Sequence, residues 1–201
     1  MVRVGYGFEV SDLAERLRGL VVEARSPDGH LAGRYGGDGA ILDVTMTGGM
    51  YGLYREHQLE RQLAELTTRL FAAYRNAERD LTEAQFAQPL WDDGIDFGPE
   101  RRRYLAGFEQ LTATGSAAED AVTVRTRGLS TWEYTIRAGT LRRVGERDLL
   151  AAVGTAVRRL LRKFHLQVFV LRDEVYDLGF PEDLRRELGF GRRGDTGRLY
   201  W

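Results

Sequence analysis

Ala121-Val122-Thr123-Val124-Arg125-Thr126-Arg127 runs into Gly128, and Trp132-Glu133-Tyr134-Thr135-Ile136-Arg137 follows it. Both segments alternate with a period of two, as a strand does when one face is buried and the other is wet. Val122 and Val124 fall on one face of the first segment, and Trp132, Tyr134 and Ile136 share one face of the second. Gly128 turns one into the other. Downstream the period changes: Leu149, Val153, Val157, Leu160, Leu161, Phe164, Val168, Leu171, Val175 and Leu178 recur at steps of three and four. That spacing draws an apolar stripe along one long helix, expected from Glu146 to Leu178, with Gly179 as its stop and Pro181 beyond. It runs through Val168-Phe169-Val170, whose β-branched residues alone would suggest a strand. The Trp132 face and the stripe from Val153 to Phe164 are expected to pack on each other, leaving Arg158, Arg159 and Arg162 outward.

Upstream, Glu100 to Leu111 has a helical pattern, and Gly115 to Asp120 reads as a loop. The first half follows the same plan. Ser11 is placed to cap a helix. Val21–Ser26, His30–Tyr35 and Ile41–Met46 read as three short strands, separated by Pro27-Asp28-Gly29 and Gly36-Gly37-Asp38-Gly39. A long helix follows from Tyr54 to Asp80, with Leu59, Leu63, Leu66, Leu70, Tyr74 and Ala77 on one face. Pro89, Asp92-Asp93-Gly94 and Gly98-Pro99 mark a linker whose Phe86, Leu90, Trp91, Ile95 and Phe97 are too apolar for a free tether. The chain divides into a first repeat (1–81), a linker (82–99), a second repeat (100–180) and a C-terminal helix and tail (181–201). One plan occurring twice signals an internal duplication in an α+β protein.

Composition narrows the chemistry. The 201 residues are 43% hydrophobic and 29% charged, which suits a folded globular chain. The absence of cysteine excludes disulfides, thiolate zinc sites and cysteine nucleophiles. No apolar run reaches the roughly 18 residues of a membrane span, and no apolar signal core follows Met1, so a soluble, cytoplasmic protein is expected. Lys163 is the only lysine, so the cations are almost all arginine. The net charge of -1 hides an acidic half and a basic half: residues 1–100 carry -7 and residues 101–201 carry +6.

Two stretches carry a resemblance. The first is Ala24-Arg25-Ser26-Pro27-Asp28-Gly29-His30-Leu31-Ala32-Gly33-Arg34-Tyr35, with Gly39-Ala40-Ile41-Leu42-Asp43-Val44 and the long helix after it. The second is Leu111-Thr112-Ala113-Thr114-Gly115, Ala121 to Gly128, Trp132 to Ile136 and Asp148 to Val153. In turns and apolar positions over roughly 140 residues, the chain resembles the YbaB/EbfC family of small nucleoid-associated proteins, which are about half this length and form homodimers. The resemblance implies two YbaB-like repeats fused in tandem and packed as a pseudo-dimer. It also implies double-stranded DNA as a partner, with localisation at the nucleoid. A repeat of roughly 70 residues buries little apolar surface alone. The two sheets are therefore expected to join edge to edge, removing unpaired strand edges.

No catalytic or metal-binding set emerges. His30, His57 and His165 lie in separate elements without metal-ligand spacing, and neither a P-loop nor a strand-linked G-x-G-x-x-G occurs. No cofactor is implied, and the chain reads as a non-enzyme. The DNA-binding candidates are Arg158, Arg159, Arg162 and Lys163, which cover about 140° of one helix side, joined by Arg101, Arg102 and Arg103. Arginine's planar fork suits phosphate, and such contacts release counterions without reading sequence. The glycine- and arginine-containing tail, ending in Tyr200 and Trp201, is a second candidate. The alternative function is a protein-interaction or chaperone-like accessory module that keeps the fold without binding DNA. Such a module would act through a homodimer or another protein.

Overall fold

The structure is a computed structural model, and it describes residues 7–36, 42–86, 98–179 and 183. The linker core around Trp91, most of the expected C-terminal helix and the tail from Gly189 to Trp201 lie outside the described residues. The chain is α+β. Helix α1 (Gly7–Gly19) leads into strands β1 (Val21–Arg25), β2 (Leu31–Gly36) and β3 (Leu42–Met46), a short 3-10 turn (Tyr51–Leu53) and helix α2 (Glu56–Phe86). The order then recurs. Helix α3 (Pro99–Gln110) precedes β4 (Thr112–Ala117), β5 (Val122–Arg127), β6 (Thr131–Ile136), the one-turn helix α4 (Thr140–Arg143) and the long α5 (Glu146–Tyr176).

Each half forms one antiparallel three-stranded sheet, β1-β2-β3 and β4-β5-β6. Their registers correspond. Gly33 opposes Val44 and Ala24 in the first sheet, and Val124 opposes Tyr134 and Gly115 in the second. The expected alternation is present: Trp132, Tyr134 and Ile136 are buried, while Thr131, Glu133 and Thr135 are exposed. The helix expected over Val168-Phe169-Val170 is also present. Burial of its stripe outweighs the modest helix penalty of β-branched residues.

Four expectations are corrected. The two sheets do not join edge to edge; they are separate hydrogen-bonded units. Ser11 does not cap α1, which begins four residues earlier and ends with Arg16 and Arg18 at its negative pole. Gly115 to Ala117 is strand, not loop. A Cβ on Gly115 would lie 2.1 Å from the Ala156 carbonyl oxygen and 2.6 Å from the Leu160 nitrogen. That glycine admits the α5 backbone to the sheet and marks no turn.

The fourth correction concerns the Trp132 face. It packs on α2 of the other half, and the α5 stripe instead covers β4 and β5. Trp132 stacks at 4.7 Å on Phe71, which lies 4.6 Å from the Tyr35 ring of β2. Tyr74 meets Tyr35 edge-on at 5.0 Å. Below the rings, the buried Thr67 and Tyr134 hydroxyls share a 2.8 Å hydrogen bond, and burial pushes the Tyr134 phenol well above its ordinary pKa. α2 therefore serves its own β1 and β2 and the foreign β6, while α5 serves β4, β5 and the foreign β3. The buried apolar residues of both halves form one contiguous core.

Three measurements check this packing. Gly115→Ala forces a methyl group against backbone atoms that cannot rotate away, so urea unfolding should show a loss of about 1–3 kcal/mol or more. Trp132→Ala should cost about 3–5 kcal/mol. In a double-mutant cycle, Trp132 should couple to Phe71 by about 0.5–1.5 kcal/mol, and additive effects would separate the two rings.

Candidate nucleic-acid interface

α5 begins with Glu146 and Asp148 at its positive pole and is capped after Tyr176 by Asp177, a left-handed residue whose N–H reaches the Asp173 carbonyl. Its inner side is filled by Leu149, Val153, Ala156, Val157, Leu160, Leu161 and Phe164, all buried. The helical period then leaves Arg158, Arg159, Arg162 and Lys163 exposed, as the sequence expects. Arg158 donates to the Thr155 hydroxyl at 3.1 Å. Arg159 donates to the Ser116 carbonyl at 2.7 Å, which holds its guanidinium over the free edge of β4. Among the described residues no carboxylate pairs with any of the four. At His165, just beyond, desolvation lowers the pKa and favours the neutral imidazole.

The structure does not bring Arg101, Arg102 and Arg103 to this row. α3 packs antiparallel on α5: Phe108 meets Phe164, Gly107 faces Leu171 and Tyr104 meets Tyr176. The α3 arginines therefore lie toward the far end of α5, about 20 Å along the helix from Arg162. Arg102 and Arg103 are exposed there and Arg101 is half-buried.

Two further features stand outside the site residues expected from the sequence. Arg147 shares the side of α5 that carries Arg158, and both line a groove of about 560 Å³ between α5 and β3. The same groove holds Asp43 and Glu146, so its charge is mixed. On the outer face of the second sheet, Arg125 and Arg127 stand exposed among Thr112, Thr114, Thr131 and Thr135. Their signal was present in the alternation itself, which puts Arg125 and Arg127 opposite Val122 and Val124.

A polar cluster at the β1–β2 turn is structural. Asp28 accepts from Ser26 Oγ and Tyr54 Oη, each at 2.5 Å, and from the His30 N–H at 3.1 Å. Its own N–H reaches Gln62 of α2. The carboxylate oxygens are used in closing the turn and holding Tyr54, and the Asp28 N–H ties the turn to α2. Partial burial works against ionisation of Asp28, but those hydrogen bonds and the nearby His30 outweigh it and hold the carboxyl below its ordinary pKa. Among the described residues no group of three or more His, Asp or Glu could hold a metal ion, and no helix is long and apolar enough to cross a membrane. No protein-family model matches the chain, and neither does any curated protein or solved structure.

Asp28 gives a pH signature. A carboxyl whose pKa is depressed by folding stabilises above its unfolded value near 4 and loses that contribution as pH falls through the folded value. Wild-type stability should therefore drop in acid by more than that of Asp28→Asn in urea titrations. Parallel acid profiles for the two proteins would contradict the role given to Asp28.

Proposed function

We propose that the chain is a non-enzymatic, sequence-tolerant binder of double-stranded DNA, a nucleoid-associated protein of YbaB/EbfC type. Arg158, Arg159, Arg162 and Lys163 contact the phosphate backbone, with Arg101, Arg102 and Arg103 as a separate, outlying group. The observation that carries this reading is the exposed row on α5 without carboxylate partners among the described residues. Cations left unneutralised on a rigid helix are available to displace counterions from DNA. No base-reading module accompanies them, so contacts of this kind position the duplex without selecting sequence.

The tandem YbaB-like pseudo-dimer belongs to the same proposal. What supports it is the recurring element order, the corresponding strand registers and the reciprocal reach of each long helix to the other half's third strand. A second reading, the protein-interaction module, is favoured by the groove beside β3, where a free strand edge faces α5.

Electrophoretic shifts on duplexes of unrelated sequence, run across a salt series, test the DNA reading. Wild type should bind all duplexes alike, with log affinity falling linearly in log salt. Changing Arg158, Arg159 and Arg162 together to Ala should weaken every complex and flatten the slope by about three. A triple variant that binds unchanged would remove α5 from the interface.

A further inference from the structure

The row on α5 has two flanks, and the surfaces beyond them differ in charge. One direction is the groove beside β3. There Asp43 and Glu146 line the groove together with Arg147 and Arg158, so phosphate entering it meets like charge. The outer face of the first sheet, beyond β3, is no better. Glu23 and Asp43 balance Arg25 and Arg34, and Glu23 already pairs with Arg34 at 3.1 Å.

The other direction crosses the free edge of β4. Arg159 is already fixed there by its bond to the Ser116 carbonyl. One strand further, Arg125 stands directly opposite Thr114, and Arg127 opposite Thr112. Thr112, Thr114 and Thr131 are exposed on this face, and a threonine hydroxyl donates a single, uncharged hydrogen bond to a phosphate oxygen. Arg127 is engaged with Gln110. The Arg125 side chain makes no ion pair or hydrogen bond among the described residues, even with Glu133 opposite it on β6. Glu133 is the one carboxylate among the described outward residues of β4, β5 and β6. The acidic turn residues Glu119 and Asp120 lie past the Ser116 end, which biases the cationic track toward Thr114 and Arg125.

Resting on the DNA reading above, we propose that the phosphate backbone runs from α5 over the β4 edge onto the open face of the second sheet. Arg125 is a direct phosphate contact there, and the groove beside β3 stays empty of DNA. The sheet supplies what a flexible arginine lacks: a rigid platform that presents Arg125 and Thr114 side by side, one inter-strand spacing of roughly 5 Å apart. The footprint thus spans a helix and a sheet face that are distant in sequence.

The test uses the full chain and random-sequence duplexes, with fluorescence anisotropy read across a salt series. Arg125→Ala should weaken every complex roughly fivefold and lower the salt slope by about one. Arg125→Glu should weaken binding further, Arg125→Lys should restore most of it, and Asp43→Asn should leave affinity unchanged. Thermal unfolding of each variant checks that this exposed site leaves the fold intact. Binding that survives Arg125→Glu but fails in the α5 triple variant overturns the sheet-face path and leaves the α5 reading standing. Tighter binding by Asp43→Asn with an indifferent Arg125 places the duplex in the groove and overturns it as well. A wild-type chain that binds no duplex overturns both.

Discussion

Phe71 lies between two rings that come from different halves of the chain, Tyr35 of β2 and Trp132 of β6. Much else depends on that placement. A sheet of three short strands has one face to bury, and α2 offers apolar surface on two flanks. Leu66 and Leu70 press on Gly33 of its own sheet. Thr67 and Phe71 meet Tyr134 and Trp132 of the other. Because α2 is shared, neither half has a complete core without its neighbour. Stabilities of small domains are a narrow surplus of burial over chain entropy, so sharing a core makes the halves interdependent.

The same helix solves an edge problem. Glu60 accepts a hydrogen bond from the Ile136 N–H at 2.7 Å, and Glu56 accepts one from the Gly139 N–H at 2.8 Å. These amides belong to the free side of β6 and the turn after it, where no further strand pairs among the described residues. Carboxylates on α2 thus do for the β6 edge what a neighbouring strand would do. The corresponding position to Glu60 on α5 is Leu150, which cannot accept a hydrogen bond, and there the groove beside β3 opens. The two halves share a plan and differ in chemistry: acidic side chains of the first half are spent on the second, whereas the cations of α5 remain outward.

The strands and long helices were legible because each carries its own period. Trp132, Tyr134 and Ile136 share a face by alternation alone, and the α5 stripe sets its arginines outward by helical geometry alone. Properties that depend on the other half were not legible. The partner of the Trp132 face could not be read locally, since α2 and α5 offer stripes of similar length. Gly115 looked like a loop residue because a glycine needed for close approach and one needed for a turn are the same letter. Arg101 to Arg103 looked like part of one cationic cluster because sequence shows charge but not the antiparallel docking of α3. Arg125 was visible as an outward residue, yet its value as a ligand depends on which neighbouring surfaces are acidic.

Native-state hydrogen exchange on a Leu66→Ala variant tests most directly whether the two halves stabilise each other through α2. Leu66 is fully buried and packs against Gly33 of the first sheet, so its truncation strikes α2 where it meets its own sheet. If the core is shared, amides of β5 and β6 lose protection by the same free energy as those of β1 and β2, about 2–5 kcal/mol for a buried leucine. If β5 and β6 keep wild-type protection while β1 and β2 lose theirs, the halves are independent units and the interlocked account is wrong.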